Sequence, residues 1–235
     1  MFKYLTEEHM TDTNNQIINY YDEIAESYDN SRFDNTYGQY VDYQERRVLD
    51  GLKINPERTL DLPCGTGRFL NYADYGCDAS KNMVKIAASH WIGKNLVCSD
   101  ARKLPYEHGT FDTVITMHLL MHLDDETIGQ ITKEVHRVLR PGGRWIVDLL
   151  SDRRKKVTNN KYESWHCHKS MSIDGFKHFV GDCFQMNSVS GIMLFPVHRI
   201  PSFLRKPLRA LDYRLAQTNK LKEYSTYLIY ELCKR

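Results

Sequence analysis

The residues in this chain best suited to chemistry are an acid–glycine turn and two later acids. Residues 59–68 read T-L-D-L-P-C-G-T-G-R, a short apolar run that ends in Asp61 and passes into Gly65 and Gly67. Paired glycines at a strand end let the backbone turn tightly and approach a ligand closely. On its own, G-x-G is equally served by a turn that needs glycine for geometry alone. Asp78 follows Gly65 by thirteen residues and closes a second short apolar run, where a carboxylate can accept hydrogen bonds from both hydroxyls of a ribose. Asp100 and Ala101 close a third, where a carboxylate and backbone amides can read an adenine edge. Each acid taken singly also reads as a helix cap or turn residue. Three at successive strand ends point to a nucleoside lying across the carboxyl ends of a sheet, the usual ligand position in open α/β folds.

Two other nucleotide readings fail. A dinucleotide fingerprint G-x-G-x-x-G requires a third glycine where Leu70 stands. It also places its acid roughly 20 residues on, farther than Asp78 lies. No G-K-[ST] of a phosphate-binding loop follows the glycines.

The elements that must position these residues are legible as periodicity. Helices are expected over residues 13–31 and 38–53, the first with Ile17, Ile18, Tyr21, Ile24, Ala25 and Tyr28 at three- and four-residue steps. Residues 58–62 read as a buried strand, 67–73 as the start of a helix and 76–78 as a very short strand. Ser80 is a plausible cap for a helix carrying Met83, Val84, Ile86 and Ala87. Strands follow at 95–99, 111–117 and 144–149, with a helix over 124–139 stopped by Pro141-Gly142-Gly143. This alternation predicts an α/β fold with a parallel sheet and helices on both faces. Two late strands, 183–189 and 224–232, flank a helical stretch near 201–217, as expected of an antiparallel hairpin at the sheet edge. Residues 151–171 are polar, basic and weakly patterned, and read as a loop or lid over a substrate.

The chain has 235 residues and a net charge of +2 that conceals an asymmetry. Residues 1–150 carry 16 basic and 23 acidic side chains, a charge of −7; residues 151–235 carry 16 and 7, a charge of +9. A basic tail can attract phosphate, carboxylate, nucleic acid or a membrane surface, or simply complement the acidic part. Six scattered cysteines without a C-x-x-C pair fit reduced thiols rather than a disulfide framework. There is no run of eighteen apolar residues and no apolar leader at the N-terminus. The expectation is therefore a cytoplasmic protein, monomeric or homodimeric, folded as one domain. That domain divides into a helical cap (1–55), a cofactor-binding core (56–150) and a basic tail with a lid and the last two strands (151–235).

The order of these motifs resembles the class I S-adenosylmethionine (SAM) methyltransferases, above all the broad group acting on small molecules. The resemblance covers about residues 17–150. It rests on Y-D-E-I-A-E-S-Y-D at 21–29, L-D-L-P-C-G-T-G-R at 60–68, Y-G-C-D-A-S-K-N-M at 75–83, C-S-D-A-R-K-L-P-Y at 98–106, F-D-T-V-I-T-M-H at 111–118 and H-R-V-L-R-P-G-G-R at 136–144. It implies a Rossmann-like, mostly parallel seven-stranded sheet with an antiparallel last strand, and SAM as cofactor. It implies that Asp61 holds the cofactor's ammonium group, directly or through water, and that Gly65 and Gly67 lie against its methionine part. Asp78 would bind the ribose, Asp100 and Ala101 the adenine, with Pro63, Thr66, Ala79 and Met83 also among the cofactor-binding residues. Met117 and His118 would lie near the sulfonium, with Tyr28 and Arg32 closing over it and Arg32 a partner for the carboxylate. Pro63 departs from the family's pattern, standing where many members have the first glycine; the turn must need neither a free φ nor that N–H. The interval before Asp78 is also short.

Methyl transfer from a sulfonium is an in-line displacement in which the protein supplies alignment and electrostatics. A hydroxyl acceptor benefits from a general base; an amine needs only to arrive deprotonated. His118 and Tyr28 are the expected catalytic residues, with His122, His166 and His168 as further candidate bases. His166-Cys167-His168 has metal-binding residue types but no companion ligands at suitable spacing, so no metal is expected. The expected function is methyl transfer to oxygen or nitrogen of a small acceptor, compatible with an anionic one. The alternative is an RNA-modifying methyltransferase, with R-R-K-K at 153–156 and Arg199, Arg205, Lys206 and Arg209 as phosphate contacts. A third reading is a partner subunit that keeps the fold without catalysis; the intact acids and glycines speak against it.

Overall fold

A computed structural model of the chain describes residues 7–158 and 169–235, with side chains from residue 15 onward. The elements in order are α1 (Glu7–Ile24), α2 (Tyr28–Arg32), α3 (Thr36–Gly51), β1 (Thr59–Asp61), β2 (Tyr75–Asp78), α4 (Lys81–His90), β3 (Asn95–Cys98), β4 (Phe111–Thr116), α5 (Asp125–Val138), β5 (Leu139–Ser151), α6 (Asp152–Thr158), β6 (Ser170–Met171), α7 (Ile173–Val180), β7 (Phe184–Ile192), α8 (Ser202–Ala216) and β8 (Tyr227–Lys234). Strand order is β3-β2-β1-β4-β5-β8-β7, with the two-residue β6 pairing beside the end of β5. Strands β1 to β5 run parallel, and β8 is antiparallel to both β5 and β7. This is the Rossmann-like sheet the motifs implied.

Alternation along the central strands explains the two covered faces. Val114, Trp145, Val147, Leu149, Leu228 and Tyr230 point into one core with Ile128, Ile131 and Val135 of α5 and Phe176 of α7. Ile115, Ile146, Ile192 and Ile229 point into the other, against Val48 and Leu49 of α3. Trp145 is fully buried, and its indole N–H donates to Thr116 Oγ1 at 2.8 Å, so the large ring enters the core without an orphaned donor. A polar knot joins α3 to α8. Asp212 accepts from Tyr40 Oη at 3.0 Å, Gln44 Nε2 at 2.9 Å and the Phe195 amide at 2.9 Å, all on buried or half-buried groups.

Three expectations need correction. The helix expected over 67–73 does not form. Gly65 and Gly67 hold φ of +52 and +97, and the chain advances by successive three-residue turns: Gly67 N–H to Cys64 O, Leu70 to Gly67, Tyr72 to Phe69. Left-handed residues interrupt the right-handed path a helix needs, and only thirteen residues separate β1 from β2. The basic stretch expected as a loop is ordered at both ends, as α6 and β6, and α7 follows it; residues 159–168 lie outside the described residues. Strand β5 is paired from Leu139, so the turn Pro141-Gly142-Gly143 lies inside it, with a register shift opposite Phe111 and Thr113. Among the described residues no helix is long and apolar enough to cross a membrane, and Cys64, Cys77, Cys98, Cys183 and Cys233 are free thiols.

Candidate active site

The carboxyl ends of β1, β2 and β4 open into a cavity of about 140 Å³ beneath α1 and α2. Its wall includes Pro63, Gly65, Thr66, Asp78, Ala79, Met83, Ala101, Met117, His118 and Tyr28 from the sequence expectation. Gly65 turns under the cavity, and a Cβ there would meet nothing within 4 Å. Asp78 caps this turn from β2: its Oδ2 accepts the Gly65 amide at 2.9 Å and its Oδ1 the Ser80 amide at 2.8 Å. Burial pushes its carboxyl up to about 6 against the lowering pull of those amides. Ser80 in turn caps α4 by accepting from Met83 N–H at 3.1 Å, which seats Met83 in the wall.

Asp61 sits one residue behind the wall, fully buried at the end of β1. Both of its carboxylate oxygens lack a hydrogen-bond partner, and burial pushes its carboxyl well above the ordinary range, with only the charge of Arg68 opposing. A buried acceptor pair without donors costs free energy unless a cation is brought to it. An ammonium group beside Asp61, a hydroxyl-rich ring beside Asp78 and an apolar wall of Met83 and Ala101 are what SAM supplies, so these residues fit that cofactor.

Other expected residues lie elsewhere. Gly67 is required by packing: a Cβ there would sit 2.6 Å from the Trp91 ring, and the residue faces a different surface hollow. Asp100 turns away and chelates the Arg102 guanidinium through both oxygens, at 2.6 to 3.0 Å, leaving Ala101 in the wall. Arg32 lines a second cavity, while the arginine in the cofactor wall is Arg68. His166 and His168 lie outside the described residues.

The second cavity, about 280 Å³, adjoins the first through shared walls of Tyr21, Tyr28, His118 and His122. Phe33, Tyr37 and Tyr227 make it strongly aromatic, and Arg32 gives it positive charge. Between the cavities stands His118, held at a φ of +59, a left-handed conformation uncommon for histidine. Its amide donates to Asp148 Oδ1 at 2.7 Å. Its ring lies between two buried carboxylates, with Nε2 2.5 Å from Glu45 Oε1 and Nδ1 3.4 Å from Asp148 Oδ2. Burial alone would push the imidazole pKa down; the charges of Glu45 and Asp148 outweigh it and raise it. Arg68 ion-pairs with Glu45 at 2.6 Å and Asp42 at 3.0 Å, and lies over the rings of Phe33 and Phe69. Despite burial, Arg68 and His118 draw the Glu45 carboxyl down to about 2. Asp148, burdened by burial and by Glu45, rises to about 6. The donor atoms of Glu45, His118 and Asp148 lie within 4.8 Å of one another, but the guanidinium already on Glu45 opposes a divalent cation there.

Two signals for this network stand in the sequence. Glu45 occupies the apolar face of α3, four residues from Val41 and Leu49, and Asp148 interrupts the run W-I-V-D-L-L. An acid on an apolar stripe is a buried acid, and buried acids have partners. Tyr28 is half-buried, and burial raises its phenol further, so it stays protonated at neutral pH. His122 is buried at the cavity boundary with its Nε2 3.2 Å from Tyr21 Oη. Asp22 bridges from α1 to α4, accepting from Ser80 Oγ at 2.6 Å and the Asn82 amide at 2.9 Å, and Thr66 Oγ1 donates to Asp29 of α2 at 2.7 Å.

Comparison with known proteins agrees with this geometry. A family model described as a methyltransferase domain matches residues 60–147. The demethylmenaquinone methyltransferase of Thermotoga maritima is 29% identical over 159 residues, 64% of this chain and 69% of that protein. That of Mycolicibacterium gilvum is 31% identical over 157 residues, 64% of this chain and 67% of that protein. A solved SAM-dependent methyltransferase from Thermotoga maritima, described as a possible histamine N-methyltransferase, superposes with a TM-score of 0.65 at 18% identity, covering 97% of this chain and all of that one. The shared sequence, the sheet order and the cavity at the strand ends together make this chain a member of the class I SAM-dependent methyltransferases.

Proposed function

We propose that this enzyme methylates a small aromatic acceptor that reacts as an anion, such as an ionised ring hydroxyl. The observation that carries this reading is the aromatic, Arg32-lined cavity that shares Tyr21, Tyr28, His118 and His122 with the cofactor cavity. SAM, when bound, supplies an electrophilic methyl group on sulfur. Asp61 holds its amino group, Asp78 takes the ribose hydroxyls, and Met83 and Ala101 flank the adenine.

His118 acts in this reading by position rather than as a base. Its two ring nitrogens face Glu45 and Asp148, and both carboxylates favour the imidazolium. A ring paired in this way offers no free nitrogen to an acceptor's proton. Arg32 supplies the positive charge that faces an anion in the second cavity, and the tyrosine and phenylalanine faces align a planar ring. An acceptor that ionises readily needs no base. The methyl group would go to the ionised oxygen, or to a ring carbon conjugated with it that then loses its proton, as the methyl–sulfur bond breaks and S-adenosylhomocysteine leaves; relatives named for demethylmenaquinone favour a ring acceptor.

The test is S-adenosylhomocysteine (SAH) formation from SAM with a panel of phenols and naphthols, biogenic amines and bulk tRNA. Turnover of hydroxylated rings, faster as their hydroxyl pKa falls, is the expected result. Turnover of amines or tRNA with none of the rings would overturn it.

A further inference from the structure

Helix α8 has two unlike faces. Its inner face packs on α3: Asp212 and Ala216 are buried, Gln44 donates to the Arg209 carbonyl at 3.1 Å, and Tyr213 Oη donates to the Arg47 carbonyl at 3.4 Å. The outer face carries an apolar residue every fourth position, Phe203, Pro207 and Leu211, with Leu204 beside the first. Phe203 is 75% exposed, Leu211 49% and Leu204 39%. Single apolar residues on a surface need no explanation; a phenylalanine and two leucines on one helix face form a patch, which does. Exposed Lys206 flanks the patch, and exposed Arg214 closes it one turn after Leu211. From 183 to 222 the chain carries seven lysines and arginines and one acid. That acid is Asp212, on the inner face, where Tyr40, Gln44 and the Phe195 amide engage it. The patch also adjoins the acceptor cavity: Arg205 donates through Nη1 to Thr36 Oγ1 at 2.8 Å, and the next residue, Tyr37, lines that cavity.

We infer that the outer face of α8 docks the enzyme on an anionic phospholipid bilayer. Phe203, Leu204 and Leu211 enter the boundary between headgroups and acyl chains, while Lys206 and Arg214 meet lipid phosphates. Charge complementarity selects this occupant. A second copy docked face to face would set the same basic fringe against itself, with no acid on the exposed face of the helix to pair it. A nucleic acid would take up the basic side chains through its phosphates but offers the two leucines no apolar surface. Docking in this orientation brings the Tyr37 rim of the aromatic cavity close to the lipid, the phase in which an apolar acceptor collects. The inference holds whichever acceptor atom is methylated.

Co-sedimentation of the full chain with vesicles of phosphatidylglycerol and phosphatidylcholine in equal parts, against vesicles of phosphatidylcholine alone, tests this. Binding to the anionic vesicles, weaker as salt rises, is expected. Lys206→Ala is expected to weaken it about fivefold, the scale of one basic side chain at an anionic membrane. Phe203→Ser is expected to weaken it about tenfold, the scale of one large apolar side chain withdrawn from lipid. Both variants should keep the wild-type melting temperature and SAH affinity. Lys85→Ala, which removes an exposed lysine from α4, should keep wild-type vesicle binding. Absence of binding to anionic vesicles by the folded protein overturns the inference. So does equal binding to both kinds of vesicle, or binding that Lys85→Ala weakens as much as Lys206→Ala, which would mark unspecific surface charge. A dimer in solution that Phe203→Ser converts to monomer overturns it in favour of a second copy. Bulk tRNA bound more tightly than the vesicles, through Lys206 and without Phe203, overturns it in favour of a polynucleotide.

Discussion

Replacing Asp61 by asparagine should stabilise the free protein and weaken the cofactor complex. In the free protein the carboxylate is fully buried, and neither oxygen has a donor. Its folded-state pKa is raised, so the folded protein holds its proton more tightly than the unfolded chain. Stability from this group is intact below about pH 4 and falls as pH rises through the window up to the folded pKa, at about 1.4 kcal/mol per pH unit. Asparagine has no charge to desolvate but still buries a polar amide, so the net gain at neutral pH is about 1 kcal/mol. For a chain of this size that is a rise in melting temperature of roughly 2–4 °C. With cofactor the sign reverses. The ammonium loses a charge-assisted partner, about 1.5–3 kcal/mol, or roughly ten- to a hundredfold in SAH affinity. Thermal melts between pH 4 and 8 and calorimetry with SAH read both effects. A variant that melts lower than wild type with SAH affinity unchanged would refute the reasoning; one that melts higher with affinity unchanged would show a buried acid unconnected with the cofactor.

In the proposed cofactor placement Asp78 would accept ribose hydroxyls as a carboxylate, and burial raises its carboxyl to about 6 in the free protein; SAH affinity should therefore decline below about pH 6, and Asp78→Asn should weaken binding and flatten that dependence. A pH profile identical in wild type and variant would contradict the assignment. Glu45→Gln removes a carboxylate that raises the His118 pKa and pairs with buried Arg68. The His118 titration followed by NMR should move down, and stability should drop by about 3 kcal/mol as the guanidinium loses its partner. The wild-type contribution of His118 to stability is complete below about pH 6.5 and is lost as pH rises through its raised folded pKa; an unmoved titration would mean the ring is not paired with Glu45. Asp212→Ala strands Tyr40, Gln44 and the Phe195 amide and should cost about 3 kcal/mol or more, visible as a melting shift of roughly 6–12 °C, with SAH affinity of the folded variant preserved. A shift below 2 °C would show that these donors find other partners.

Periodicity made the sheet legible because each central strand is short, apolar and followed by a turn residue or a capped helix. Ser80 caps its helix as its position suggested, and Asp124, read as the first residue of its helix, caps it instead. The helix expected after Gly67 failed because sequence spacing registers apolar residues such as Phe69 and Leu70 without registering the left-handed φ of the glycines before them. Gly67 and Asp100 lie off the wall of the first cavity for a related reason. A motif fixes which residue type occupies a position, but its neighbours decide which way it faces: Trp91 occupies the space over Gly67, and Arg102, two residues on, captures Asp100. The Glu45–His118–Asp148–Arg68 network joins α3, β5 and the turns after β1 and β4, 103 positions from first to last. A single sequence shows that Glu45 and Asp148 are acids in apolar company; it does not show that they meet.

The roof over both inner cavities has a kinetic consequence. Among its described side chains, helix α1 is fastened by polar contacts, Asp22 to Ser80 and Asn82 and Tyr21 to His122, and by Ile17 as its one buried apolar residue in the core. Contacts of this kind contribute about 1 kcal/mol each, far less than the packed centre of the sheet. Such a segment opens locally while the rest stays folded. Product departure then follows the fraying of one helix, not the breathing of the whole domain. Amide exchange in α1 should outpace that in β4 by orders of magnitude and slow markedly when SAH is bound; equal rates in the two elements would assign departure to a motion of the entire fold.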